Sequence, residues 1–174
     1  MQPLRWERRP DGLRAPALVC AFKGWNDAGE AATSALTFMG AGFDATRFAL
    51  IDPEEFVDFQ STRPSVRLVD GLSRKIEWPE FEFYEARVPR APRDLILLSG
   101  PEPAMRWRTF CEKVIETGRV CGTSASSAPI VTTIWTPIAS ASSMTFSQKV
   151  RQRIAGSGPL SRIRSRGARG IRAS

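Results

Sequence analysis

Three short polar segments of the chain carry the side chains that could bind a ligand or take part in catalysis. The carboxylates of Asp27, Asp52 and Glu54 could exchange protons with a substrate, and Arg106 could hold an anion. Trp25 could stack on a flat ligand or anchor a protein partner. The candidate binding residues are Gly24, Trp25, Asn26, Asp27, Asp52, Glu54, Gln60, Arg63, Glu102 and Arg106.

Several of these residues also have a purely structural interpretation. Asp27 stands at the expected N-cap of a helix, and Glu30 follows it at the spacing of a capping box. Asp52 can start a turn, Glu54 can favour the first turn of a helix, and Arg106 fits a solvated helix face. The sequence leaves both interpretations open. We therefore expect a binding edge and assign no catalytic residue.

The composition excludes several kinds of catalytic and metal site. The chain has no histidine, which excludes Ser-His-Asp and Cys-His nucleophile systems and histidine-bound zinc. Any catalysis would need carboxylates, lysine, tyrosine or cysteine. Cys20, Cys111 and Cys121 lie in apolar surroundings and are expected to be buried thiols in a reducing cytosol. The stretch around Gly24 and Gly29 is not a phosphate loop, because the Gly-Lys-Ser/Thr ending is absent. We expect no metal and no cofactor.

The first polar segment is positioned by a strand that runs directly into a helix. Residues 17–22 form a short apolar run typical of a strand buried on both faces, and residues 28–39 show the spacing of one apolar helix face. Residues 45–51 return as a second strand, which predicts a right-handed parallel βαβ unit. Residues 95–98 predict another buried strand. We therefore expect an α/β fold with a mostly parallel sheet.

This arrangement predicts where the polar segments meet. Residues 23–27, 52–60 and 99–106 each follow the carboxyl end of a predicted parallel strand. In open α/β sheets ligands bind at that edge. The sequence therefore predicts that the three segments share one edge of the sheet.

The rest of the domain is predicted from turns and apolar spacing. Residues 1–16 are expected to form an arm with little structure, and residues 54–60 one helical turn with Phe56, Val57 and Phe59 turned inward. Residues 66–78 alternate around Asp-Gly and predict a β-hairpin. Residues 81–88 predict a half-exposed strand, and residues 101–118 a helix that starts at its two prolines.

The net positive charge of the chain comes entirely from its last third. Residues 1–120 contain 17 Lys and Arg against 18 Asp and Glu, whereas residues 121–174 contain 8 and 0. We expect residues 1–120 to form the N-terminal part of an α/β domain and residues 121–174 a basic Ser/Arg-rich tail, disordered or read out of frame. The alternative is a basic arm that binds nucleic acid. This segment has only two aromatic residues that could stack on bases, Trp135 and Phe146, so we do not favour nucleic acid as a partner.

We expect a cytoplasmic protein with no membrane partner. The N-terminal residues include Arg5, Glu7, Arg8 and Arg9 before any apolar run, which is unlike a signal peptide. The sequence nowhere contains eighteen consecutive apolar residues.

Several stretches resemble one protein family. They are CAFKGWNDAGEAAT (residues 20–33), IDPEEFVDFQSTRPSVRL (51–68), RKIEWP (74–79) and LLSGPEPAMRWRTFC (97–111). Together, over residues 15–120, they are similar to the proteasome assembly chaperone 2 family in its actinobacterial branch. The resemblance implies a three-layer α/β/α sandwich of the phosphorylase/hydrolase-like kind, here with an incomplete C-terminal part.

The resemblance also implies a function. We expect a non-catalytic scaffold that binds protein partners, either proteasome subunits or further copies of itself. One alternative is a ligand-binding protein or a hydrolase- or ligase-like enzyme that uses the same edge, with Asp27, Asp52 or Glu54 as acid–base groups. Another is a truncated product without function. Family members of this branch are longer, and some proteasome chaperones carry a docking tail with a tyrosine, whereas this chain ends Arg172-Ala173-Ser174.

Overall fold

The computed structural model describes residues 3–123, which form a five-stranded sheet, two α-helices and a separate hairpin. The predicted tail, residues 121–174, lies outside this part from residue 124 onward. The elements are β1 (Leu4–Trp6), β2 (Ala17–Lys23), α1 (Ala31–Gly42), β3 (Thr46–Ile51), β4 (Ser65–Val69), β5 (Ser73–Glu77), β6 (Phe81–Ala86), β7 (Leu95–Pro101) and α2 (Trp107–Val120).

The sheet is mixed and largely antiparallel. Its strand order is β1-β3-β6-β7-β2, and only β2 and β7 pair in parallel. The α/β class is confirmed, but the prediction of a mostly parallel sheet is wrong. The reason lies in the connection between β3 and β6. The chain leaves the sheet at the end of β3, forms the hairpin and re-enters the sheet at the same end. β6 must therefore run antiparallel to β3.

Three strands nevertheless point the same way. β2 is parallel to β7, and β3 opposes β6, which in turn opposes β7. The carboxyl ends of β2, β3 and β7 therefore lie at one end of the sheet, which we call the carboxyl edge. The predicted βαβ unit exists as a crossover over two intervening strands, because β6 and β7 separate β3 from β2.

The two helices lie on opposite faces of the sheet. Ala32 and Leu36 of α1 pack against Ala21 and Leu97. Phe110, Cys111 and Val114 of α2 belong to the larger cluster on the other face. This cluster contains a set of aromatic side chains, with ring centroids 4.6–6.4 Å apart, formed by Phe22, Phe56, Phe81 and Phe110.

A complete three-layer sandwich is not supported. α1 packs mainly on β2 and β7. Tyr84 of β6 is opposite Leu97 in the ladder, so it lies on the face of the sheet that α1 covers at Leu97. Beyond β7, this face carries polar side chains. Arg47 Nη1 donates to Glu82 Oε1 at 2.7 Å, and Arg47 Nη2 donates to Glu7 Oε1 at 2.8 Å. These ion pairs occupy the area that a further helix would cover.

Two local predictions are also wrong. Residues 4–6, expected to lie in an unstructured arm, form β1 and pair with the outer side of β3. The second helix begins at Trp107 rather than near Pro101 or Pro103. The amides of Ala104 and Met105 donate instead to the Phe56 carbonyl, at 2.8 and 3.1 Å, which holds this segment in a loop. Neither described helix within residues 3–123 has the length and apolar character needed to cross a membrane.

Candidate functional site

The carboxyl edge is built from three loops. We call residues 24–30 the first edge loop, residues 52–64 the second and residues 102–106 the third. The first and third loops follow the paired strands β2 and β7, and the second follows β3. All ten candidate binding residues lie on these loops.

The first and third edge loops are bonded directly to each other. Asn26 Nδ2 donates to Glu102 Oε1 at 2.6 Å, and the Glu102 amide donates to the Lys23 carbonyl at 2.8 Å. Gly24 makes this approach possible, because a Cβ atom there would lie 3.1 Å from both Cβ and Oε2 of Glu102. Three of the candidate residues, Gly24, Asn26 and Glu102, therefore form one contact.

The second and third edge loops are also joined. Besides the backbone bonds to the Phe56 carbonyl, Arg106 Nη1 donates to Glu55 Oε2 at 2.6 Å. The sequence did not single out Glu55, since it is one of two adjacent glutamates with no pattern to separate them. The expected anion-binding Arg106 thus already faces a carboxylate of its own chain.

Asp27 does not face solvent. Its carboxylate is buried and accepts bonds from the Ala32 amide at 2.8 Å and from Thr33 Oγ1 at 2.5 Å. It therefore provides a hydrogen-bond acceptor for an amide at the start of α1, with the short 3₁₀ turn Ala28–Glu30 between them. The predicted capping box is wrong, because Glu30 adopts left-handed backbone (φ 54°) immediately before the helix and makes no cap bond.

The remaining candidates of the second edge loop are exposed. Asp52 Oδ1 accepts the Glu54 amide at 3.0 Å and so caps a 3₁₀ turn, Pro53–Glu55. Gln60 and Arg63 lie further along the loop, and within residues 3–123 no side-chain hydrogen bond or ion pair joins them to the other candidates. The structure therefore brings Gly24, Asn26 and Glu102 into contact but leaves these two apart.

Trp25 is the most prominent side chain of the edge. It is 81% exposed, although its neighbours Asn26 and Asp27 are partly or fully buried. The indole stands on a short loop that is bonded on one side to Glu102 and on the other to α1. An exposed aromatic group on a fixed loop can bind a partner with little loss of conformational entropy.

Cysteine and tyrosine side chains could take the place of histidine in catalysis, but the pKa values of Cys20, Cys121 and Tyr84 are raised. Burial raises the pKa of the Cys20 thiol far above its usual range and that of Cys121 to about 11. Neither thiol is therefore an activated nucleophile. Burial and a hydrogen bond to Glu82 raise the pKa of Tyr84 to about 12. Residues 3–123 contain no cluster of three or more metal-ligating side chains.

A second surface was not anticipated from the sequence. The predicted hairpin is confirmed as β4 and β5. One of its sides carries Val66, Leu68 and Ile76, and Trp78 follows directly after β5; we call this surface the ribbon face. These four side chains are 55–62% exposed. At its base, Trp78 packs edge-on against Phe59, with ring centroids 5.2 Å apart. The alternation of these residues was visible in the sequence, but it did not show that nothing in residues 3–123 covers them.

Comparisons with known proteins give a consistent result. A model of the PAC2 family matches residues 21–125. A PAC2 family protein from Streptomyces avermitilis is 44% identical, with a TM-score of 0.57 over 62% of this chain and 46% of that chain. A proteasome-assembly chaperone homologue from Mycobacterium tuberculosis is 42% identical, with a TM-score of 0.55 over 59% of this chain and 44% of that chain.

A more distant structure shows the same fold. A protein of unknown function from Corynebacterium glutamicum is 25% identical, with a TM-score of 0.58 over 68% of this chain and 46% of that chain. This chain therefore spans less than half the length of each of these three solved structures. No curated protein matches the sequence.

Proposed function

The chain belongs to the PAC2 family, and from this premise we propose that it acts as a non-catalytic scaffold that binds protein partners through its carboxyl edge. The match to the family model confirms the resemblance that the sequence motifs indicated. The proteasome-assembly chaperone homologue of Mycobacterium tuberculosis supports proteasome subunits as the first partners to test.

We choose the carboxyl edge as the binding surface on the basis of one observation. Three loops from separate strands are bonded into a single rim, and this rim presents Trp25 at 81% exposure. Interfaces gain most of their energy from a few aromatic and arginine anchors on rigid supports. A rim fixed in this way loses little entropy on association.

The same geometry disfavours the alternative of an enzyme. Asp27 is a buried cap, Asp52 caps the next turn, and Arg106 is paired with Glu55. Each of these three side chains already has a partner within the chain. We place the scaffold in the cytoplasm, since Cys20, Cys111 and Cys121 are buried thiols that suit a reducing compartment.

The test is direct binding to purified proteasome α- and β-subunits of an actinobacterium. We expect the full chain to bind them and Trp25→Ala to weaken binding by about tenfold or more. Phe38→Ala is the matched control, because Phe38 is equally exposed, at 80%, but lies on α1 away from the edge. Equal loss in both variants, or none in either, would contradict the assignment of the carboxyl edge.

A further inference from the structure

We infer that the end of the sheet opposite the carboxyl edge is a second binding surface, which takes an acidic segment of a protein partner. Residues 7–16 join the end of β1 to the start of β2, and residues 87–94 join the end of β6 to the start of β7. Both loops lie at this end, because β1 and β6 run against the direction of β2, β3 and β7. We call the two loops together the arginine edge.

The charges of the domain are divided between the two ends of the sheet. The loops of the arginine edge contain six arginines and three carboxylates, whereas the three loops of the carboxyl edge contain two arginines and seven carboxylates. Residues 1–120 as a whole are nearly neutral. The positive charge at the arginine edge therefore arises from the fold, which gathers arginines from two separate segments, and it attracts anionic groups.

The two loops are bonded into one support. Arg14 Nη2 donates to Asp94 Oδ1 at 2.7 Å and to the Val88 carbonyl at 2.8 Å. The Val88 amide donates to Asp94 Oδ1 at 3.0 Å, so the loop from residue 88 to residue 94 is closed at its base. The Arg87 guanidinium donates to two backbone carbonyls of residues 7–16. Arg14 and Arg87 thus hold the edge together.

Three further arginines are available to a partner. Arg9, Arg90 and Arg93 are exposed, and none of them forms an ion pair with the part of the chain that the structure describes, residues 3–123. Arg9 lies over the ring of Trp6, with its guanidinium carbon 5.3 Å from the ring centroid. Arg90 and Arg93 stand on the loop that Asp94 closes. Guanidinium groups on a fixed backbone can bind carboxylates through paired hydrogen bonds.

The composition of the arginine edge favours carboxylates over nucleic acid. Proteins that bind nucleic acid without sequence preference combine many phosphate contacts with aromatic side chains that stack on bases. Residues 7–16 and 87–94 contain no aromatic residue, and three carboxylates lie among their arginines. A few unpaired arginines suit a short run of Asp or Glu better than the continuous charge of a phosphate backbone. The partner is therefore an acidic protein segment.

The experiment measures binding of a fluorescently labelled oligoglutamate peptide to the full chain by fluorescence anisotropy. We expect the peptide to bind, and to bind more weakly as the salt concentration rises. The double variant Arg90→Ala/Arg93→Ala should raise the dissociation constant by about tenfold or more. All variants keep residues 124–174, so the eight basic residues of that segment contribute equally to every measurement.

The matched control is Arg74→Ala/Lys75→Ala on the hairpin. It removes two exposed positive charges that likewise form no ion pair within residues 3–123, and it should leave peptide binding unchanged. Trp25→Ala should also bind the peptide as the unmodified chain does, so the result is independent of the proposed role of the carboxyl edge.

Three results would overturn the inference. The first is that the peptide does not bind, and the second is that the two double variants lose binding equally. The third is that an oligothymidylate of the same charge binds more tightly than the peptide and loses its binding in Arg90→Ala/Arg93→Ala. This result would make nucleic acid the partner of the arginine edge.

Discussion

Asn26 and Glu102, 76 positions apart in the sequence, are joined by a 2.6 Å hydrogen bond that ties the loop after β2 to the loop after β7. The two strands are the parallel pair of the sheet, and their ends lie next to each other at the carboxyl edge. This bond holds the base of the loop that carries Trp25. The position of the exposed indole therefore depends on a contact made on the neighbouring strand.

We expect Asn26→Ala to lower the free energy of unfolding by about 1 kcal/mol, since it removes one partly buried hydrogen bond to a charged acceptor. Urea unfolding followed by circular dichroism measures the change. Gln60→Ala is the control, because Gln60 is an exposed residue of the second edge loop, and its change should stay within about 0.5 kcal/mol. A loss no larger in Asn26→Ala than in Gln60→Ala would show that the bond contributes nothing.

Gly100 gives a second prediction, about the close approach of β7 to β6. A Cβ atom at Gly100 would lie 2.5 Å from Phe81 Cδ1 and 3.0 Å from the Glu80 carbonyl oxygen. Phe81 is fully buried, and the Glu80 oxygen belongs to the backbone. We expect Gly100→Ala to destabilise the domain by about 1–3 kcal/mol in thermal or urea unfolding.

The control for this substitution is Gly42→Ala at the end of α1. A Cβ atom there meets no atom within 4 Å, and alanine favours the helix, so the variant should be neutral or more stable by up to about 1 kcal/mol. Equal effects of the two substitutions would mean that the approach of β7 to β6 is looser than the structure has it.

Elements set by local spacing could be predicted from the sequence. The strand before Gly24, the helix behind Asp27 and the hairpin at Asp70-Gly71 were all expected. The burial of Phe56 and Val57 was expected as well. In each case neighbouring residues alone determine the conformation, through apolar period, turn residues or caps.

Elements that depend on distant partners could not be predicted. The sequence places β3 shortly after β2, yet β6 and β7 lie between them in the sheet. β1 has only three residues, and its pattern is too short to show that it pairs with β3. The carboxyl edge forms all the same, because β2, β3 and β7 run in one direction without all being neighbours. Its role in binding stays a prediction.

Asp94 lies at the opposite end of the sheet. The contacts of its carboxylate lead to a prediction of how stability depends on pH. Its buried carboxylate accepts bonds from Arg14 Nη2 at 2.7 Å, from the Arg14 amide at 2.8 Å and from the Val88 amide at 3.0 Å. The hydrogen bond from the Arg14 side chain is the main reason why the pKa of Asp94 lies far below its usual range. The protein therefore favours the ionised form much more than the unfolded chain does.

Because this pKa is lowered on folding, the stabilisation is complete above the unfolded value of about 3.9 and is lost as the pH falls from there through the folded value. We expect Asp94→Asn to cost about 1–3 kcal/mol at neutral pH and to flatten the loss of stability below about pH 4. Urea unfolding at a series of pH values measures both effects. Asp11→Asn, at an exposed carboxylate, should leave the pH profile unchanged, and a wild-type profile in Asp94→Asn would contradict the prediction.

Tyr84 predicts the behaviour at the alkaline end, and it is the single tyrosine of the chain. Its hydroxyl donates to Glu82 Oε2 at 2.9 Å. Burial is the largest cause that raises the pKa of Tyr84 to about 12, and the bond to Glu82 adds to it. An unfolded tyrosine titrates near pH 10, so the folded protein binds the phenolic proton more tightly.

For a group whose pKa is raised on folding, the stabilisation is complete below the unfolded pKa and is lost as the pH rises through the folded one. We expect the ultraviolet absorbance of the phenolate to appear near pH 12 in the folded protein and near pH 10 in urea. In Glu82→Gln the pKa should fall but stay above about 10, because burial, the larger cause, remains. Tyr84→Phe should abolish the signal and flatten the loss of stability between the two values. A native titration near pH 10 would mean that the phenol is solvated and that the polar area beside α1 is open to water.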